Sequence, residues 1–386
     1  MGQSIKGTAK LFMRKFIQSG SPALIGNEEK YVVDCIKTNW ISSAGKYIKK
    51  FEKRFAKFNN TKFAVSCNSG TAALHISLLA LGVKQGDEVI VPALTYVATI
   101  NAVTYCGAIP VLVDIDPQTW CIDEELVEKS ITKRTKGIIV VHLFGHPADM
   151  DPIMLIARKY NLFVVEDNAQ GTGALYKGKR TGSIGTMGTY SFFGSKMITT
   201  GEGGIVTTNN SKLAKSAGIF KNQGVDPKNR YWFPVIGYNY RMTNLEAAIG
   251  LAQLEKINTH IRNRRQIANS YFKELDGFES LILPTEKEYA KSAFWMFNIT
   301  FKDNVRIDRD LVLNRLYKYG IDARNIPYPL NTLPPYRKIA QGKKFPVAWK
   351  IFSRSISLPT HENLTQEDIK YVCDKLKYIL RQLLTP

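Results

Sequence analysis

The sequence contains little cysteine, and its cysteines do not occur in pairs. The five cysteines are Cys35, Cys67, Cys106, Cys121 and Cys373. No CxxC motif is present, and an odd number of thiols cannot all pair within one chain. This pattern argues against a disulfide framework or a zinc site, so we expect reduced thiols and no bound metal. Cys67 follows Ser66 and could act as a nucleophile, but a small core residue ending a strand is the better interpretation.

Long apolar runs are also missing. No stretch approaches the roughly 20 apolar residues that cross a bilayer. The first residues, MGQSIKGTAKLFMRKF, lack the apolar core of a signal peptide, and Lys6 stands where a myristoylation motif has Ser or Thr. Because 44% of the residues are hydrophobic, we expect a globular cytoplasmic protein that does not contact membranes.

Acidic residues are outnumbered by basic ones. The chain has 53 Lys and Arg against 33 Asp and Glu, which gives a formal net charge of +20. Such a charge favours an anionic partner, which can be nucleic acid, an anionic membrane or a phosphate-bearing small molecule. The basic residues are spread along the whole chain, and no helix-turn-helix, zinc-finger or RNA-binding motif is present. We therefore do not expect a nucleic-acid partner, and a phosphate-bearing substrate remains compatible with the charge.

What the sequence does contain is an alternation of short apolar runs with helical segments between about residues 60 and 208. The predicted strands are FAVSC, EVIVPAL, PVLVDID, GIIVVHLFG, LFVVEDNAQ and GGIVTT, which begin at Phe63, Glu88, Pro110, Gly137, Leu162 and Gly203. This pattern predicts an α/β fold with a largely parallel sheet covered by helices on both faces. Such sheets bind ligands beyond the carboxyl ends of their strands, so functional residues should cluster there.

The pattern changes near residue 260. A long helix is predicted from Leu245 to Ile261, and then FWMFNITF, a helix around Asp310 to Tyr319 and ISLP indicate a smaller α+β unit. We therefore expect three parts, an N-terminal arm of residues 1–20, a large domain of residues 21–260 and a small domain of residues 261–386.

Three segments carry candidate chemistry. The first, Asn68-Ser69-Gly70-Thr71, lies between a predicted strand and a helix. Its glycine lets the backbone approach an anion, and the helix that follows offers free N–H groups and the positive end of its dipole. Thr71 adds a hydroxyl. The segment therefore predicts a phosphate site, although an ordinary helix N-cap fits equally well.

The second and third segments follow the sheet strands. VVEDNAQ places Asp167 at a strand end, where it can cap a helix or hold a cationic ring nitrogen, with Gln170 nearby. SFFGSKMITTGEGG places Lys196 between hydroxyls, Ser191 and Ser195, and a glycine cluster that can turn close to a flat cofactor. A phosphate cup, an acid and a lysine in this order on one sheet predict a pyridoxal phosphate site.

The sequence resembles the DegT/DnrJ/StrS family of pyridoxal-phosphate-dependent nucleotide-sugar aminotransferases from about Gly20 to its end. The blocks that carry the resemblance are NWISSAGKYIKKFE, CNSGTAALHISLLALGVKQGDEVIVPALTYVATINAV, VHLFGHPADM, VVEDNAQGTGALYKGKRTGSIG, SFFGSKMITTGEGG and GYNYRMTNLEAAIGLAQLEK. The resemblance implies an aspartate-aminotransferase-like fold (PLP fold type I), with a mostly parallel seven-stranded sheet and a smaller C-terminal domain.

The resemblance also implies roles for particular residues. Lys196 would bind the cofactor covalently and then shuttle a proton, Asp167 would pair with the pyridinium nitrogen, and Tyr96 would stack on the ring. The other implied cofactor contacts are Gly70, Thr71 and Ser191 at the phosphate, Gln170 near the ring hydroxyl, and Asn239 at the phosphate of a neighbouring subunit's cofactor. The expected unit is therefore a homodimer with shared active sites. Arg241 and Arg324 are candidate anion contacts for the substrate, although surface or interface salt bridges suit them equally well.

The implied reaction moves an amino group from an amino acid, glutamate by expectation, to C4 of a nucleotide-linked 4-keto-6-deoxy sugar. GDP-4-keto-6-deoxymannose is the expected acceptor, and the UDP- or dTDP-linked 4-keto-6-deoxyglucose is the alternative. Sugar dehydration is a further alternative, but family members of that kind replace the lysine with histidine. A non-catalytic regulatory or binding relative is the last one, and the intact Asp167 and Lys196 argue against it.

Four other positions bear on the predicted site. Phe193 stands where many family members have His or Tyr, and Asn331 stands where histidine is expected in the enzymes for the GDP-linked sugar. The second departure weakens the substrate prediction and leaves the cofactor prediction unchanged. His142 and His146 lie in and after a predicted strand, and we expect both to be structural.

Overall fold

The computed structural model of the protein describes residues 16–340 and 342–384. Its helices are α1 (Glu28–Lys37), α2 (Lys46–Phe58), α3 (Gly70–Ala80), α4 (Ala98–Tyr105), α5 (Glu124–Lys129), α6 (Met150–Lys159), α7 (Ser211–Lys221), α8 (Asn244–Glu255), α9 (Ile257–Leu275), α10 (Arg309–Lys318), α11 (Pro346–Arg354) and α12 (Gln366–Leu384). Its strands are β1 (Phe63–Cys67), β2 (Glu88–Pro92), β3 (Ile109–Val113), β4 (Thr135–Val141), β5 (Phe163–Asp167), β6 (Leu175–Tyr176), β7 (Lys179–Arg180), β8 (Met187–Ser191), β9 (Gly204–Thr208), β10 (Leu281–Ile282), β11 (Ala290–Lys291), β12 (Phe297–Phe301), β13 (Arg324–Asn325) and β14 (Ser355–Leu358).

The central sheet has the strand order β1-β9-β8-β5-β4-β2-β3. The pairs β3–β2, β2–β4, β4–β5 and β5–β8 are parallel, whereas β9 runs antiparallel to both β8 and β1. Because helices cover both faces, strands such as β2 and β4 are buried along most of their length and read as continuous apolar runs. The predicted α/β fold with a mostly parallel seven-stranded sheet is confirmed.

Helix α3 shows how the helices position the site. Every residue from Ala72 to Leu78 is buried, because α3 packs against β8 and β9 and also against α4 and α7. Its amino end lies just after the carboxyl end of β1. Within the described ranges, no helix has the length and apolar character needed to cross a membrane. A cytoplasmic location stays a prediction.

A second sheet, β10-β12-β14-β13, lies in the C-terminal part of the chain. Its core contains Phe297, Ile299 and Ile356, and α9, α10 and α12 contribute further apolar side chains to it. The helix predicted from Leu245 to Ile261 is in fact two helices, because α8 ends at Glu255 and α9 begins at Ile257.

Helix α9 connects the two parts of the molecule. Ile257 at its start packs with the core near α8, whereas Ile267 and Tyr271 pack with the core of the second sheet. The domain boundary predicted near residue 260 falls inside this helix, and the division into domains stays a prediction.

The predicted N-terminal arm lies partly outside the described residues, which begin at Phe16. The amide of Ile17 donates to the carbonyl of Gly320 at 2.8 Å, and the carbonyl of Ile17 accepts from the amide of Asp322 at 2.9 Å. The carbonyl of Ser19 accepts from the amide of Thr360 at 3.0 Å. The described part of the arm is therefore held against the second sheet.

Candidate active site

A cavity of about 960 Å³ lies where the strands of the central sheet end. Its walls come from residues at or after the carboxyl ends of β2, β4, β5 and β8, and from the C-terminal part of the chain. Eight of the ten predicted site residues line it: Gly70, Thr71, Tyr96, Asp167, Gln170, Ser191, Lys196 and Arg324. The expectation that chemistry clusters beyond the strand ends therefore agrees with the geometry.

The other two predicted residues, Asn239 and Arg241, are not among the described residues that line this cavity. Asn239 is exposed, and its Oδ1 accepts hydrogen bonds from Nε and Nη2 of Arg241 at 3.2 and 3.1 Å. The segment is held by its tyrosines, because Tyr238 and Tyr240 pack around the buried ring of His75. A role for Asn239 in a partner's site is compatible with this placement and stays a prediction.

The amino end of α3 forms one end of the cavity. Ser69 caps this helix by accepting a hydrogen bond from the amide of Ala72 at 3.0 Å. A Cβ atom on Gly70 would lie 2.7 Å from Cβ of Ser191, so only glycine lets the helix approach the end of β8 this closely. Thr71 and Ser191 both line the cavity at this end, so two hydroxyls and the helix dipole are available to a dianionic phosphate.

Asp167 ends β5 and faces the same cavity. It is 5% exposed, and its carboxylate accepts hydrogen bonds from Oγ1 of Thr99 at 2.8 Å and from the amide of Ala169 at 3.2 Å. Burial nevertheless raises the pKa of this carboxyl, and it outweighs both hydrogen bonds and the attraction of Lys196. A cationic group placed beside Asp167 would therefore lower the free energy of the ionised site.

Glu166, the preceding residue, has a different environment. Its carboxylate accepts hydrogen bonds from the amides of Gly182, Ile184 and Gly185 at 2.7, 2.7 and 2.6 Å. A fourth comes from Nε2 of His142 at 3.0 Å. The two acids at this strand end looked alike in the sequence, but only Asp167 lines the cavity among the described residues.

Lys196 lies in a turn that follows β8. Its amide donates to the carbonyl of Phe193 at 2.9 Å, and the amide of Thr200 donates to the carbonyl of Phe192 at 2.9 Å. A Cβ atom on Gly203 would lie 2.2 Å from Oγ1 of Thr200, which explains part of the glycine cluster. Burial lowers the pKa of the Lys196 amine to about 8, although Asp167 pulls it in the opposite direction. The amine is thus close to the neutral form that a nucleophile needs.

The two remaining predicted cofactor contacts differ in exposure. Tyr96 lines the cavity and is 61% exposed. Gln170 is buried, and its Oε1 accepts a hydrogen bond from the amide of Phe144 at 2.7 Å. The predicted contact with a ring hydroxyl would therefore use the amide N–H groups of Gln170 rather than its oxygen.

The histidines and the cysteine considered above have structural environments. Nδ1 of His142 accepts from the amide of Ala148 at 3.1 Å, and its Nε2 contacts Glu166. His146 is held through Nδ1 by the carbonyl of Pro147 at 2.7 Å, and burial lowers its pKa to about 4. Burial raises the pKa of the Cys67 thiol to about 12, which makes it a poor nucleophile.

Sequence reasoning missed two residues of the site. Thr99 fixes the carboxylate of Asp167, and Trp295 lies against the amine of Lys196 with its ring centroid 3.9 Å from Nζ. The only sequence signals were the hydroxyl of Thr99 soon after Tyr96 and an indole in the FWMF run. Neither signal identifies its partner, because both contacts join residues far apart in the chain.

This donor set fits pyridoxal phosphate. The close approach of Gly70 to Ser191 leaves a cradle for the phosphate, which a Cβ atom would fill. The buried carboxylate of Asp167 suits a protonated ring nitrogen, and Lys196 supplies an amine of lowered pKa.

Comparison with known proteins gives an independent view. The profile of the DegT/DnrJ/EryC1/StrS aminotransferase family matches residues 22–377. The GDP-perosamine synthases of Caulobacter vibrioides and Escherichia coli O157:H7 are 46% and 44% identical to this chain, over 94% of it and 98% of each relative. The GDP-perosamine synthase of Vibrio cholerae is 40% identical over 92% of this chain and 97% of its own length.

Solved structures match in the same way. Spr1654 from Streptococcus pneumoniae in its PLP form has a TM-score of 0.90 at 30% identity, covering 96% of this chain and 100% of that one. Helicobacter pylori PseC, an aminotransferase of pseudoaminic acid biosynthesis, has a TM-score of 0.90 at 27% identity, covering 95% of this chain and 100% of that one. These likenesses extend over nearly the whole chain, as the described fold does.

Proposed function

This chain belongs to the DegT/DnrJ/EryC1/StrS aminotransferase family and uses pyridoxal phosphate to aminate a sugar, and we propose that its acceptor is GDP-4-keto-6-deoxymannose. Amination at C4 gives GDP-perosamine, with glutamate as the amino donor. The observation that carries the aminotransferase chemistry is the convergence of Asp167, Lys196 and the amino end of α3 on one cavity. The relatives named GDP-perosamine synthase, which are 40% to 46% identical, support the choice of sugar.

Pyridoxal phosphate supplies an electron sink and stores the amino group between the two half-reactions. We propose that Thr71, Ser191 and the amino end of α3 bind its phosphate, and that Asp167 holds the proton on its ring nitrogen. Thr99 keeps the Asp167 carboxylate oriented through the 2.8 Å hydrogen bond. Tyr96, which lines the cavity, would stack on the ring.

Lys196 holds and moves the proton. Its amine would carry one proton in each half-reaction, from the carbon of the amino donor to the cofactor in the first and from the cofactor to C4 of the sugar in the second. The lowered pKa of about 8 places this amine near neutrality, where it can both accept and release a proton.

The sugar end of the cavity is formed by the C-terminal part of the chain. Tyr328, Leu333, Pro334, Pro335 and Tyr336 line it, all from the segment YPLNTLPPY and its neighbourhood. The hydroxyl of Tyr336 donates to Oδ1 of Asn101, which fixes the ring in the wall. This placement supports a role of the segment in enclosing the sugar nucleotide.

Two polar residues in this part of the chain differ in their relation to the cavity. Arg324 lines the cavity, and its Nη2 donates to Oδ2 of Asp322 at 2.8 Å, so a substrate phosphate would share the guanidinium with that acid. Asn331 is not among the cavity-lining residues of the described chain, and its Oδ1 is buried without a partner there. We propose Arg324 as a diphosphate contact and assign no substrate contact to Asn331.

The acceptor is tested by purified enzyme with glutamate and a panel of GDP-, UDP- and dTDP-linked 4-keto-6-deoxy sugars. The expected result is conversion of GDP-4-keto-6-deoxymannose to GDP-perosamine with the highest kcat/KM, measured by mass spectrometry of the products. A UDP- or dTDP-linked sugar that reacts more than about tenfold faster, worth ~1.4 kcal/mol, contradicts the GDP assignment and leaves the aminotransferase activity in place.

We also propose a homodimer in which Asn239 acts in the partner's site. Asn239 is exposed and follows a strongly exposed apolar segment that includes Trp232, Phe233 and Ile236. Exposed apolar patches of this kind mark association surfaces, and most homo-oligomers have two-fold symmetry. Mixing Lys196→Ala with Asn239→Ala subunits should restore part of the activity, because hybrid dimers contain one intact site. A monomer by light scattering, or no recovery on mixing, contradicts the shared site.

A further inference from the structure

Trp295 is the aromatic neighbour of Lys196, although the two lie far apart in the sequence. Nζ of Lys196 is 3.9 Å from the centroid of the indole ring, a distance typical of a strong cation–π contact. The indole Nε1 donates a hydrogen bond to the carbonyl of Ser195 at 2.7 Å. One side chain therefore contacts both the lysine amine and the backbone that carries it.

The indole ring is itself held in place. It stacks on Phe144 with an interplanar angle of 11° and a centroid distance of 6.1 Å. The amide of Trp295 donates to the carbonyl of Phe144 at 3.0 Å, and its carbonyl accepts from Nη1 of Arg264 at 3.3 Å. A Cβ atom on Gly145 would lie 2.9 Å from the amide nitrogen of Trp295, so this backbone approach requires glycine.

Trp295 is 9% exposed and lines the cavity. It projects from the C-terminal part of the chain, whereas Lys196 lies in the turn between β8 and β9 of the central sheet. The indole ring is thus a fixed part of the cavity wall, and the amine of Lys196 lies against its face.

We propose that Trp295 is a positioning residue for Lys196, and that its indole face is where the free lysine amine rests between the two proton transfers. This inference rests on the proposed role of Lys196. The ring holds Nζ inside the cavity when the amine is not bound to the cofactor, and the bond to Ser195 fixes the turn from which the side chain reaches.

The contact has a chemical consequence. The negative face of an indole ring attracts an ammonium ion more strongly than a neutral amine. Trp295 therefore raises the pKa of Lys196, as the carboxylate of Asp167 does, and both oppose the lowering caused by burial. Lys196 keeps enough proton affinity to take a proton from the amino donor, and it remains in a position to pass that proton on.

The first test uses the cofactor-free protein. The rate at which acetic anhydride modifies Lys196 is measured against pH by mass spectrometry in the native protein and in Trp295→Leu and Trp295→Phe. We expect the pKa of the amine to fall in Trp295→Leu by roughly 0.4 to 1.5 units, which corresponds to the usual range of a cation–π contact. Trp295→Phe keeps a ring with a weaker negative face, so the pKa of Lys196 in this variant should lie between the native value and that of Trp295→Leu. An unchanged or raised pKa in the folded variants overturns the proposal.

The second test uses the loaded enzyme and an amino donor that carries deuterium at the carbon losing its proton. In Trp295→Leu we expect kcat to fall roughly tenfold to a hundredfold, because the misplaced amine transfers the proton slowly. The deuterium isotope effect on kcat should rise, and KM for the sugar should stay unchanged. A lower kcat with an unchanged isotope effect indicates a merely structural role and contradicts the proposal.

The controls separate this inference from the proposed function. Trp349→Leu removes an exposed indole on α11 and should leave the pKa and the isotope effect at native values. Lys196→Ala should lose the visible absorbance of the bound cofactor. If it keeps that absorbance, the proposed function fails. If the absorbance is lost and the Trp295 variants behave like the native protein, only the role of Trp295 fails. If Trp295→Leu does not fold, Trp295→Phe must show the same changes in the Lys196 pKa and in the isotope effect, with smaller size.

Discussion

Glu166 and Asp167 are adjacent acids at the end of β5, and their carboxylates lie in different environments. Glu166 accepts four hydrogen bonds, three from the loop amides of Gly182, Ile184 and Gly185 and one from His142. Asp167 accepts two hydrogen bonds, and it faces the cavity that also contains Lys196. Successive side chains of a strand point to opposite faces of a sheet, which separates the carboxylate of Glu166 from the cavity that Asp167 lines.

The comparison shows what distinguishes a structural charge from a functional one. Glu166 is surrounded by donors that its own chain supplies, so its charge is already compensated in the folded protein. Burial still raises the pKa of Asp167 after its hydrogen bonds are counted, so its charge is compensated only when a cation binds. The incomplete compensation of Asp167 is what makes it suited to a cofactor with a cationic ring.

The largest effect should come from Asp167→Asn. The amide cannot hold a proton on the ring nitrogen, so we expect kcat to fall about a thousandfold, ~4 kcal/mol of barrier. Because burial raises its folded-state pKa, the ionised carboxylate destabilises the cofactor-free fold at neutral pH. The cofactor-free variant should therefore melt at the native temperature or above it. A kcat near the native value, measured at saturating cofactor, contradicts the role.

Glu166→Gln should give the reverse pattern. The glutamine NH₂ group would face amide donors of the 182–185 loop, so we expect the free energy of unfolding to fall by roughly 3 kcal/mol. Urea denaturation followed by circular dichroism measures this loss. The kcat of the folded, loaded enzyme should stay within about threefold of the native value. A native urea midpoint, or a collapse of kcat in the folded protein, would erase the distinction between the two acids.

A smaller effect should follow Gly70→Ala, which lies at the amino end of α3 beside the cavity. The new methyl would lie 2.7 Å from Cβ of Ser191 and push the amino end of α3 away from β8. We expect affinity for pyridoxal phosphate to fall about tenfold, ~1.4 kcal/mol, by absorbance titration. Gly218→Ala in α7 is the matched control, since its Cβ meets nothing within 4 Å. Equal affinities in the two variants contradict the phosphate cradle.

The smallest effect concerns pH. The rate of cofactor uptake by the cofactor-free protein should rise with pH and level off above about 8, where the Lys196 amine is neutral. In Asp167→Asn the midpoint should move down by less than about one unit, because the attraction that favours the ammonium is lost. In Glu166→Gln the midpoint should not move. Stopped-flow absorbance measures the midpoint in the native protein and in both variants. A midpoint that shifts in Glu166→Gln alone would reverse the assignment of the two acids.

Local patterns in the sequence were enough for most of the central sheet. Strands with β-branched apolar runs, such as β4 and β5, were predicted because both of their faces are buried. Strand β8 was missed, since MGTYS contains a glycine and polar residues and has no such run. Asp167 and Lys196 were predicted as site residues because reactive side chains that follow strands of a parallel sheet point to a ligand site.

The contacts that hold Asp167, Lys196 and Glu166 could not be predicted from local sequence patterns. Thr99 is 68 residues from Asp167, and Trp295 is 100 residues from the Ser195 carbonyl that it binds. The loop that surrounds Glu166 is nearer, but its donors are backbone amides, which every residue except proline carries. Only the fold distinguishes the compensated acid from the uncompensated one.

The most direct test of this site is borohydride reduction of the loaded enzyme followed by peptide mapping. Reduction fixes pyridoxal phosphate to the lysine that holds it. The account predicts one label, on Lys196 in the peptide that contains SFFGSKMITTGEGG, in both the native protein and Glu166→Gln. A label on any other lysine, or none on Lys196, would contradict the assignment of the cavity beside Asp167 as the active site.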